Sequence, residues 1–342
     1  MGDEGQGQLK SIADLARIAG VSVSTVSRAL TGKGALNQGT RERIQALADR
    51  HGFRLNVAAQ NLRLGRTGAI AVLMPLGHAR GQQLSDPFFL TMLGHLADAL
   101  TDRGYDLLLS RVLPDRDDWL DSFIRTGRTD GVIIIGQSDQ GAALTRAAAH
   151  YRPLVVWGED ASGADPLTQG PLTVGTDNVA GGRLAAAHLL ARGCANFAFF
   201  GDIGVPEFAA RHAGFAAALP PTQRAAMAIA PGPVTPDASL HAARAFFAAG
   251  NRPDGIFAAS DVMAISLMTT AQEQGLRVPQ DMAVIGFDDI ALAQMARPAL
   301  TTVRQDIGAG AQHLADLLFR RMAGEDTQSV RIAPELIVRE SA

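Results

Sequence analysis

The chain has 342 residues, 47% of them apolar and 19% charged, which predicts a packed globular protein of two or three domains and excludes a disordered one. With one cysteine, Cys194, it can form neither a disulfide framework nor a zinc site of four thiolates. The formal net charge is −3, but residues 1–66 carry 10 Lys and Arg against 5 Asp and Glu, whereas residues 67–342 carry 21 against 29. A segment of net charge +5 therefore precedes one of −8, which favours an anionic partner such as nucleic acid for the first segment alone.

No apolar run approaches the roughly 18 residues of a membrane span. Residues 1–8 are polar and lack the apolar stretch of a secretory signal. We therefore expect a cytoplasmic protein without a membrane partner, in which residues 1–10 form a disordered tail.

Residues 11–55 predict a domain of three helices. Ser11 caps the first helix, which ends at Gly20, and Ser22 caps the second. We expect Thr40 to cap the third helix.

The first two of these helices have helix-turn-helix spacing between Leu15 and Leu30. Ala16 is small where two helices must approach, and Val26 anchors the second helix to the core. The second helix carries short hydroxyls, which suit phosphate oxygens, and an arginine, which suits guanine edges. The candidate DNA-contacting residues of this helix are Ser24, Thr25, Ser27 and Arg28, together with Ser22 at its start. A three-helix bundle that merely has a polar face is the alternative.

Residues 56–67 predict a hinge helix and linker, in which Asn56 caps a helix of about two turns that would be marginal alone. Beyond residue 68, continuous apolar runs alternate with helical stretches, the pattern of parallel strands buried on both faces. The predicted strands are 69–74, 106–110, 131–135, 154–157, 196–200, 255–258 and 282–286, and the predicted helices include 88–103, 178–192, 206–219, 240–249 and 262–274. The segment 68–342 is too long for one doubly wound sheet, so we expect it to form two α/β lobes. The ligand site is then expected beyond the carboxyl ends of the strands.

The first segment resembles the lactose/galactose repressor (LacI/GalR) family. The matching stretches are Ile12-Ala13-Asp14-Leu15-Ala16, Gly20-Val21-Ser22, Thr25-Val26-Ser27-Arg28-Ala29-Leu30 and Thr40-Arg41-Glu42-Arg43-Ile44. The resemblance implies that Val23, Ser24 and Arg28 read bases.

The family's hinge helix is similar to residues 56–63. The resemblance makes Asn56, Ala59, Leu62 and Arg63 candidate DNA contacts. It also implies that Leu62 wedges between base pairs in the minor groove, although a solvent-facing linker leucine is the alternative. Leu55 departs from the family, which usually has Pro there, and this could loosen the entry to the hinge.

The following residues resemble periplasmic sugar-binding proteins, as the core of this family does. Matching landmarks include Asp86-Pro87-Phe88-Phe89, Asp130-Gly131-Val132-Ile133, Ala258-Ala259-Ser260-Asp261 and Gly286-Phe287-Asp288-Asp289. The resemblance implies that Arg211 and Asp288 grip vicinal hydroxyls of an effector and that Phe89 stacks on its apolar face.

Other effector contacts are left open. Ser260 stands where relatives commonly have Asn, and Trp157 either lines the cleft or packs in the core. Asp177 is interpreted as a helix cap, with a ligand contact as the alternative, and Asp261 as the cap of a helix that begins at Val262. Asp289 is interpreted as structural.

The crossover near residues 300–304 implies that the chain passes between the lobes three times. We expect lobe one to comprise residues 68–175 and 304–328, and lobe two residues 176–303 and 329–342. No heptad repeat follows, which favours a homodimer without an appended tetramerisation helix.

These features predict an effector-controlled transcription factor, most simply a repressor, that binds a palindromic operator. A small carbohydrate is the expected effector, and a purine or nucleoside is the alternative. A sugar-transport receptor would fit the second segment but not the basic first one. The chain has no G-x-S-x-G, P-loop or H-E-x-x-H motif, so we expect no enzyme, catalytic residue, metal or cofactor.

Overall fold

The computed structural model describes residues 11–31, 34–54, 65–75, 84–137, 140–158 and 170–342. The expected tail, residues 1–10, and the expected hinge residues Leu55, Asn56, Ala59, Leu62 and Arg63 lie outside the described residues. The chain divides into two compact units between Thr67 and Gly68. We call the unit before this division the head and the unit after it the core.

The described part of the head contains the helices α1 (Ile12–Ala19), α2 (Val23–Thr31) and α3 (Gln38–Arg50). The side chain of Ser11 caps α1 by accepting a hydrogen bond from the Asp14 N–H, and Gly20 ends it in the left-handed conformation, with φ of 66°. The three helices bury one another's apolar faces, since Leu15, Val26 and Ile44 have no solvent exposure.

The cap of α3 differs from the prediction. The side chain of Asn37 accepts a hydrogen bond from the Gly39 N–H at 3.0 Å, so α3 begins at Gln38. The predicted cap, Thr40, lies inside the helix and was therefore wrong. Asn and Thr are both common caps, and the earlier of the two supplies the bond here.

The first sheet of the core contains six parallel strands in the order β11-β5-β4-β3-β1-β2. These strands are β1 (Ala69–Pro75), β2 (Asp106–Val112), β3 (Gly131–Ile135), β4 (Leu154–Trp157), β5 (Leu172–Thr176) and β11 (Val330–Ile332). Its helices are α4 (Pro87–Thr101), α5 (Trp119–Arg125), α6 (Gly141–Ala148) and α13 (Ile307–Met322). Both faces of this sheet are covered: Ile133 and Ile135 belong to one apolar cluster and Val132 and Ile134 to another.

The second sheet has the order β12-β10-β9-β8-β6-β7, with β12 antiparallel to β10. Its strands are β6 (Phe197–Phe200), β7 (Ala228–Ala230), β8 (Gly255–Ala258), β9 (Ala283–Asp288), β10 (Thr301–Arg304) and β12 (Glu335–Ile337). Its helices are α7 (Asn178–Ala191), α8 (Pro206–Ala218), α9 (Pro221–Ala226), α10 (Pro236–Ala248), α11 (Asp261–Glu273) and α12 (Ala291–Met295). A phenylalanine-rich cluster that includes Phe199, Phe215 and Phe257 fills this lobe.

Each lobe is discontinuous, and the chain crosses between the sheets after β5, after β10 and after β11. The expected assignment of residues 329–342 to lobe two is wrong in part. β11 pairs in parallel with β5 of the first sheet, through Val330 beside Val174, and only β12 joins the second. Among the described helices, none has the length and apolar character needed to cross a membrane.

Candidate functional site

The exposed side of α2 is the candidate nucleic-acid interface of the head. Val26 and Ala29 are buried against the other helices, which turns Val23, Ser24 and Arg28 towards solvent. Val23 is 39% exposed, so its side chain is accessible to a partner. The geometry therefore allows this face to enter a DNA groove.

A cluster of hydroxyl groups lies at the N-terminus of α2. The Ser22 hydroxyl lies 2.8 Å from the hydroxyls of both Ser24 and Thr25 and accepts a hydrogen bond from the Thr25 N–H at 3.2 Å. Ser22 is thus a helix cap as well as a candidate phosphate contact. Thr25 and Ser27 are half-buried, so Ser24 and Arg28 are the more accessible polar groups of this face.

A cavity in the core opens at the carboxyl ends of both sheets. The space between its walls is about 890 Å³, open solvent at its mouth included. Its described lining residues include Asp86, Phe88, Phe89, Gln137, Trp157, Glu207, Phe208, Arg211, Ser260, Asp288 and Gln305. All five residues predicted to contact an effector line this one cavity, although their roles stay predictions.

Arg211 on α8 is the charged centre of the lobe-two wall. It is 5% exposed, its Nε donates to the Asn178 Oδ1 at 2.8 Å, and its Nη1 donates to the Ala259 carbonyl at 2.5 Å. The guanidinium carbon lies 3.6 Å from the centroid of the Phe287 ring. These contacts fix the guanidinium before any ligand arrives.

Asp288, at the end of β9, lies beside Arg211, with the Nη1 and Oδ1 atoms 3.9 Å apart. Its Oδ1 accepts a hydrogen bond from Gln305 Nε2 at 2.5 Å, and Gln305 in turn accepts one from the Thr176 hydroxyl at 3.1 Å. Burial raises the pKa of Asp288 to about 7, although Arg211 opposes this rise. Its φ of 119° is strained for a residue with a side chain, as is frequent at binding sites.

Two glycines allow α8 to pack closely against α7. A Cβ at Gly182 would lie 2.1 Å from the Arg211 carbonyl oxygen, and one at Gly214 would lie 2.0 Å from the Val179 carbonyl oxygen. Only glycine allows this approach of two backbones. The position of Arg211 is therefore set by backbone packing.

Aromatic side chains dominate the lobe-one wall. The rings of Phe88 and Trp157 lie 6.1 Å apart, and those of Phe88 and Phe89 lie 5.5 Å apart in an edge contact. Trp157 also packs on Gly310 of α13, where a Cβ would lie 2.3 Å from the indole. Trp157 thus lines the cavity and packs in the core at once, and Phe88 exposes more of its ring than the predicted Phe89 does.

Two residues that line this cavity, Asp86 and Ser260, cap helices. Asp86 caps α4 by accepting a hydrogen bond from the Phe88 N–H at 2.9 Å, and burial raises its pKa. Ser260 caps α11, through the Met263 N–H at 3.4 Å. The predicted cap, Asp261, was wrong, because it is the first residue of α11 itself.

Asp261 instead connects buried segments of lobe two. It has no exposure, and it accepts hydrogen bonds from the Ile290 N–H at 2.9 Å and the Thr302 hydroxyl at 2.5 Å. Burial and the charge of Asp288 raise its pKa well above the usual value.

The other two aspartates behave as interpreted from the sequence. Asp177 caps α7 through the Ala180 N–H at 2.8 Å. Asp289 accepts from Arg304 at 2.8 Å and from Arg339 at 2.6 Å, which makes it structural.

Sequence reasoning missed Phe88, Gln137, Glu207, Phe208 and Gln305. Phe88 and Phe208 were within reach, because Phe88 precedes Phe89 in a matching landmark and Phe208 lies inside a predicted helix. Gln305 follows β10 directly, a position at the carboxyl end of a strand where ligand contacts are common. In the described part of the chain, no three His, Cys, Asp or Glu side chains are placed to hold a metal ion.

Comparisons with known proteins agree with this architecture. A family model described as bacterial regulatory proteins, lacI family, matches residues 11–56, and one described as a periplasmic binding protein-like domain matches residues 186–342. The HTH-type transcriptional regulator DegA of Bacillus subtilis is 31% identical over 350 residues, which cover 97% of this chain and 97% of that protein.

Two solved structures are similar over nearly the whole chain. A transcriptional regulator CelR in complex with cellobiose is 26% identical, with a TM-score of 0.68, and the match covers 98% of this chain and 100% of that one. A lac repressor dimer bound to operator and the anti-inducer ONPF is 24% identical, with a TM-score of 0.80, and the match covers 97% and 98%. The second likeness concerns the fold alone.

Proposed function

Because this chain belongs to the lacI family of bacterial regulatory proteins, it is a DNA-binding transcriptional regulator and not an enzyme, and we propose that a small carbohydrate in its cleft controls its binding to an operator. Repression is the simplest form of this control. Since its partner is then chromosomal DNA, the protein acts in the cytoplasm.

The observation that carries the effector proposal is the pairing of unlike walls in one cavity. Lobe two contributes the buried pair Arg211 and Asp288, whose charge-assisted hydrogen bonds suit vicinal hydroxyls. Lobe one contributes Phe88 and Trp157, whose rings suit the apolar face of a pyranose. The similar regulator CelR, whose structure is described as a complex with cellobiose, supports a saccharide.

A ligand between the lobes can drive a switch only if it binds one arrangement of the lobes more tightly than the other. Gln305 supports this idea, because it connects Asp288 of lobe two with Thr176, the last residue of β5 in lobe one. The ligand would therefore act at a point where the chain itself crosses between the lobes.

For the head, we propose that two copies in a homodimer place α2 in successive major grooves of a palindromic operator, roughly 34 Å apart. Ser22, Val23, Ser24, Thr25, Ser27 and Arg28 are the proposed contacts of this face. Asn56, Ala59, Leu62 and Arg63 are the proposed hinge contacts, with Leu62 as a minor-groove wedge.

The effector site is tested by Arg211→Ala in an operator gel-shift titration with added saccharide. The variant should bind operator as wild type does and no longer respond to the saccharide. Arg244→Ala is the matched control, because Arg244 pairs with Glu273 on the exposed surface of the same lobe. Release of DNA by the Arg211 variant at wild-type saccharide concentrations would refute the cleft assignment.

The DNA-binding face is tested by Arg28→Ala and Leu62→Ala. Arg28→Ala should weaken specific binding by about 1–3 kcal/mol if the arginine reads a base. Leu62→Ala should weaken operator binding while the core stays folded.

Operator affinity should also fall steeply with salt concentration through counterion release. A flat log–log plot of affinity against salt concentration would contradict an electrostatic interface.

A purine or nucleoside is the second candidate, since Phe88, Trp157 and Phe208 could stack on a base. A thermal-shift screen of mono- and disaccharides against purines and nucleosides distinguishes the two. Saturable stabilisation by purines alone, absent in Arg211→Ala, would replace the carbohydrate proposal.

A further inference from the structure

The charges that line the cleft are unbalanced. Among its described lining residues, Asp86, Glu207 and Asp288 are acidic, and Arg211 is the one arginine or lysine. The sequence places both of its lysines, Lys10 and Lys33, before residue 67, so the core has none to contribute.

The one guanidinium among the described lining residues is already engaged by the protein. Arg211 donates to Asn178 and to the Ala259 carbonyl, lies beside the Asp288 carboxylate, and packs on the face of Phe287. Asp288, whose pKa burial raises to about 7, offsets part of this charge within the same wall. An anionic ligand would have to compete with that carboxylate for it.

Two of the helix beginnings at the cavity are also acidic. A helix N-terminus is the usual alternative site for an anion, because its backbone N–H groups and dipole favour negative charge. Here Asp86 caps α4 and Glu207 stands in the first turn of α8, whereas the hydroxyl of Ser260 caps α11. At two of these three helix beginnings, the place where a phosphate would bind already holds one of the chain's own carboxylates.

The acidic groups come from both lobes, since Asp86 belongs to lobe one and Glu207 and Asp288 to lobe two. An anion held between the lobes would face carboxylates on two sides, where partial burial weakens the screening of their charge. A hydroxyl, in contrast, can donate a hydrogen bond to each of them.

We propose that the cleft takes an uncharged, polyhydroxylated ligand and rejects its phosphorylated and carboxylated derivatives. This inference rests on the proposed function, because it takes the cleft as the effector site. It names the ligand class by charge, which the proposed function leaves open.

The test measures thermal stability of the full-length protein with matched probes at constant ionic strength. The anionic probes are inorganic phosphate, glucose 6-phosphate and glucuronate, and the neutral probes are glucose and cellobiose. No anion should give a saturable shift in melting temperature that Arg211→Ala abolishes. Such a shift with any of the three would overturn the inference.

A variant that lacks two of the carboxylates tests the same inference through an expected gain in anion binding. Asp86→Asn with Glu207→Gln keeps the shapes and the α4 cap, since Asn caps as well as Asp, but removes two carboxylates. It should bind glucose 6-phosphate at least about tenfold more tightly than wild type, as removal of charge repulsion at short range predicts. A folded variant with no gain in anion affinity would show that charge is not the basis of selection.

The two proposals fail in different ways. If an anion binds the cleft and alters operator binding, the charge inference is wrong and the regulatory function stands. If saccharides release operator from wild type and Arg211→Ala alike, the proposed effector site is wrong, whatever the anions do.

Discussion

The two walls of the cleft differ in how their key residues are held. Arg211 of lobe two belongs to α8, and the backbone of α8 contacts that of α7 at Gly182 and Gly214. Trp157 of lobe one belongs to β4, and its ring contacts Gly310, so side-chain packing sets the position of the indole.

This difference separates a rigid polar wall from an adaptable aromatic one. Backbone contacts cannot be relieved by rotation of a side chain, whereas an indole can tilt. Under the proposed function, lobe two would fix which hydroxyls a ligand must present, and lobe one would adjust to the ligand's apolar face. The variants below would break or sharpen this distinction.

The largest effect is expected from Gly182→Ala. The new Cβ would meet the Arg211 carbonyl at 2.1 Å, which forces α7 and α8 apart. We expect a loss of about 3 kcal/mol in the unfolding free energy of the core, measured by urea denaturation.

Gly94→Ala in α4 is the matched control, because a Cβ there has open space around it. It should stabilise the helix by about 0.5–1 kcal/mol. Equal behaviour of the two variants would mean that close helix packing does not hold Arg211.

The next effect concerns pH. Because burial raises the pKa of Asp288 to about 7, its stabilising contribution is complete below the usual pKa of about 4 and is lost as the pH rises through 7. Asp288→Asn cannot ionise and should escape this loss. Relative to wild type, the variant should gain about 2 kcal/mol in stability between pH 5 and pH 8. A constant difference across this range would show that Asp288 does not titrate there.

A smaller effect is expected from Gly310→Ala. The added Cβ presses on the Trp157 ring, which can move, so the cost should be about 1 kcal/mol. Because the chain has two tryptophans, the Trp157 emission can be isolated in a Trp119→Phe background. Its emission should shift as the indole is pushed towards the cleft. A cost equal to that of Gly182→Ala would remove the contrast between the walls.

The smallest effect is expected from Ser260→Ala. The variant loses the weak cap to the Met263 N–H, which should cost about 0.5–1 kcal/mol. Ser260→Asn restores a capping side chain, and its stability should match wild type. A change in ligand selectivity with Asn at unchanged stability would assign Ser260 to the ligand as well as to the helix.

The sequence predicted central strands better than it predicted their partners. β3, β4 and β8 have the expected bounds, because strands buried on both faces read as uninterrupted apolar runs. The sheet to which β11 belongs depends on Val174, more than 150 residues earlier, and no local pattern carries that information. The helix α13 was not identified either.

The candidate site was predictable where a motif carried it. Arg211 and Asp288 were placed by resemblance and not by periodicity, since 77 positions separate them in the sequence. Gln305 and Glu207 belong to no motif that the sequence analysis used. They reach the cavity because the carboxyl ends of both sheets meet there, which is a property of the tertiary fold.

The late position of α13 has a consequence for synthesis. Strands β1–β5 are complete at Thr176, but α13, whose Leu314 and Leu318 cover Ile133 and Val155, begins only at Ile307. At about 5–20 residues per second, a ribosome needs roughly 7–26 s to supply it. Throughout that interval the apolar face that α13 later covers is shielded only in part, by α4, so chaperones are expected to bind it and a transcript cut short before α13 is expected to yield aggregates.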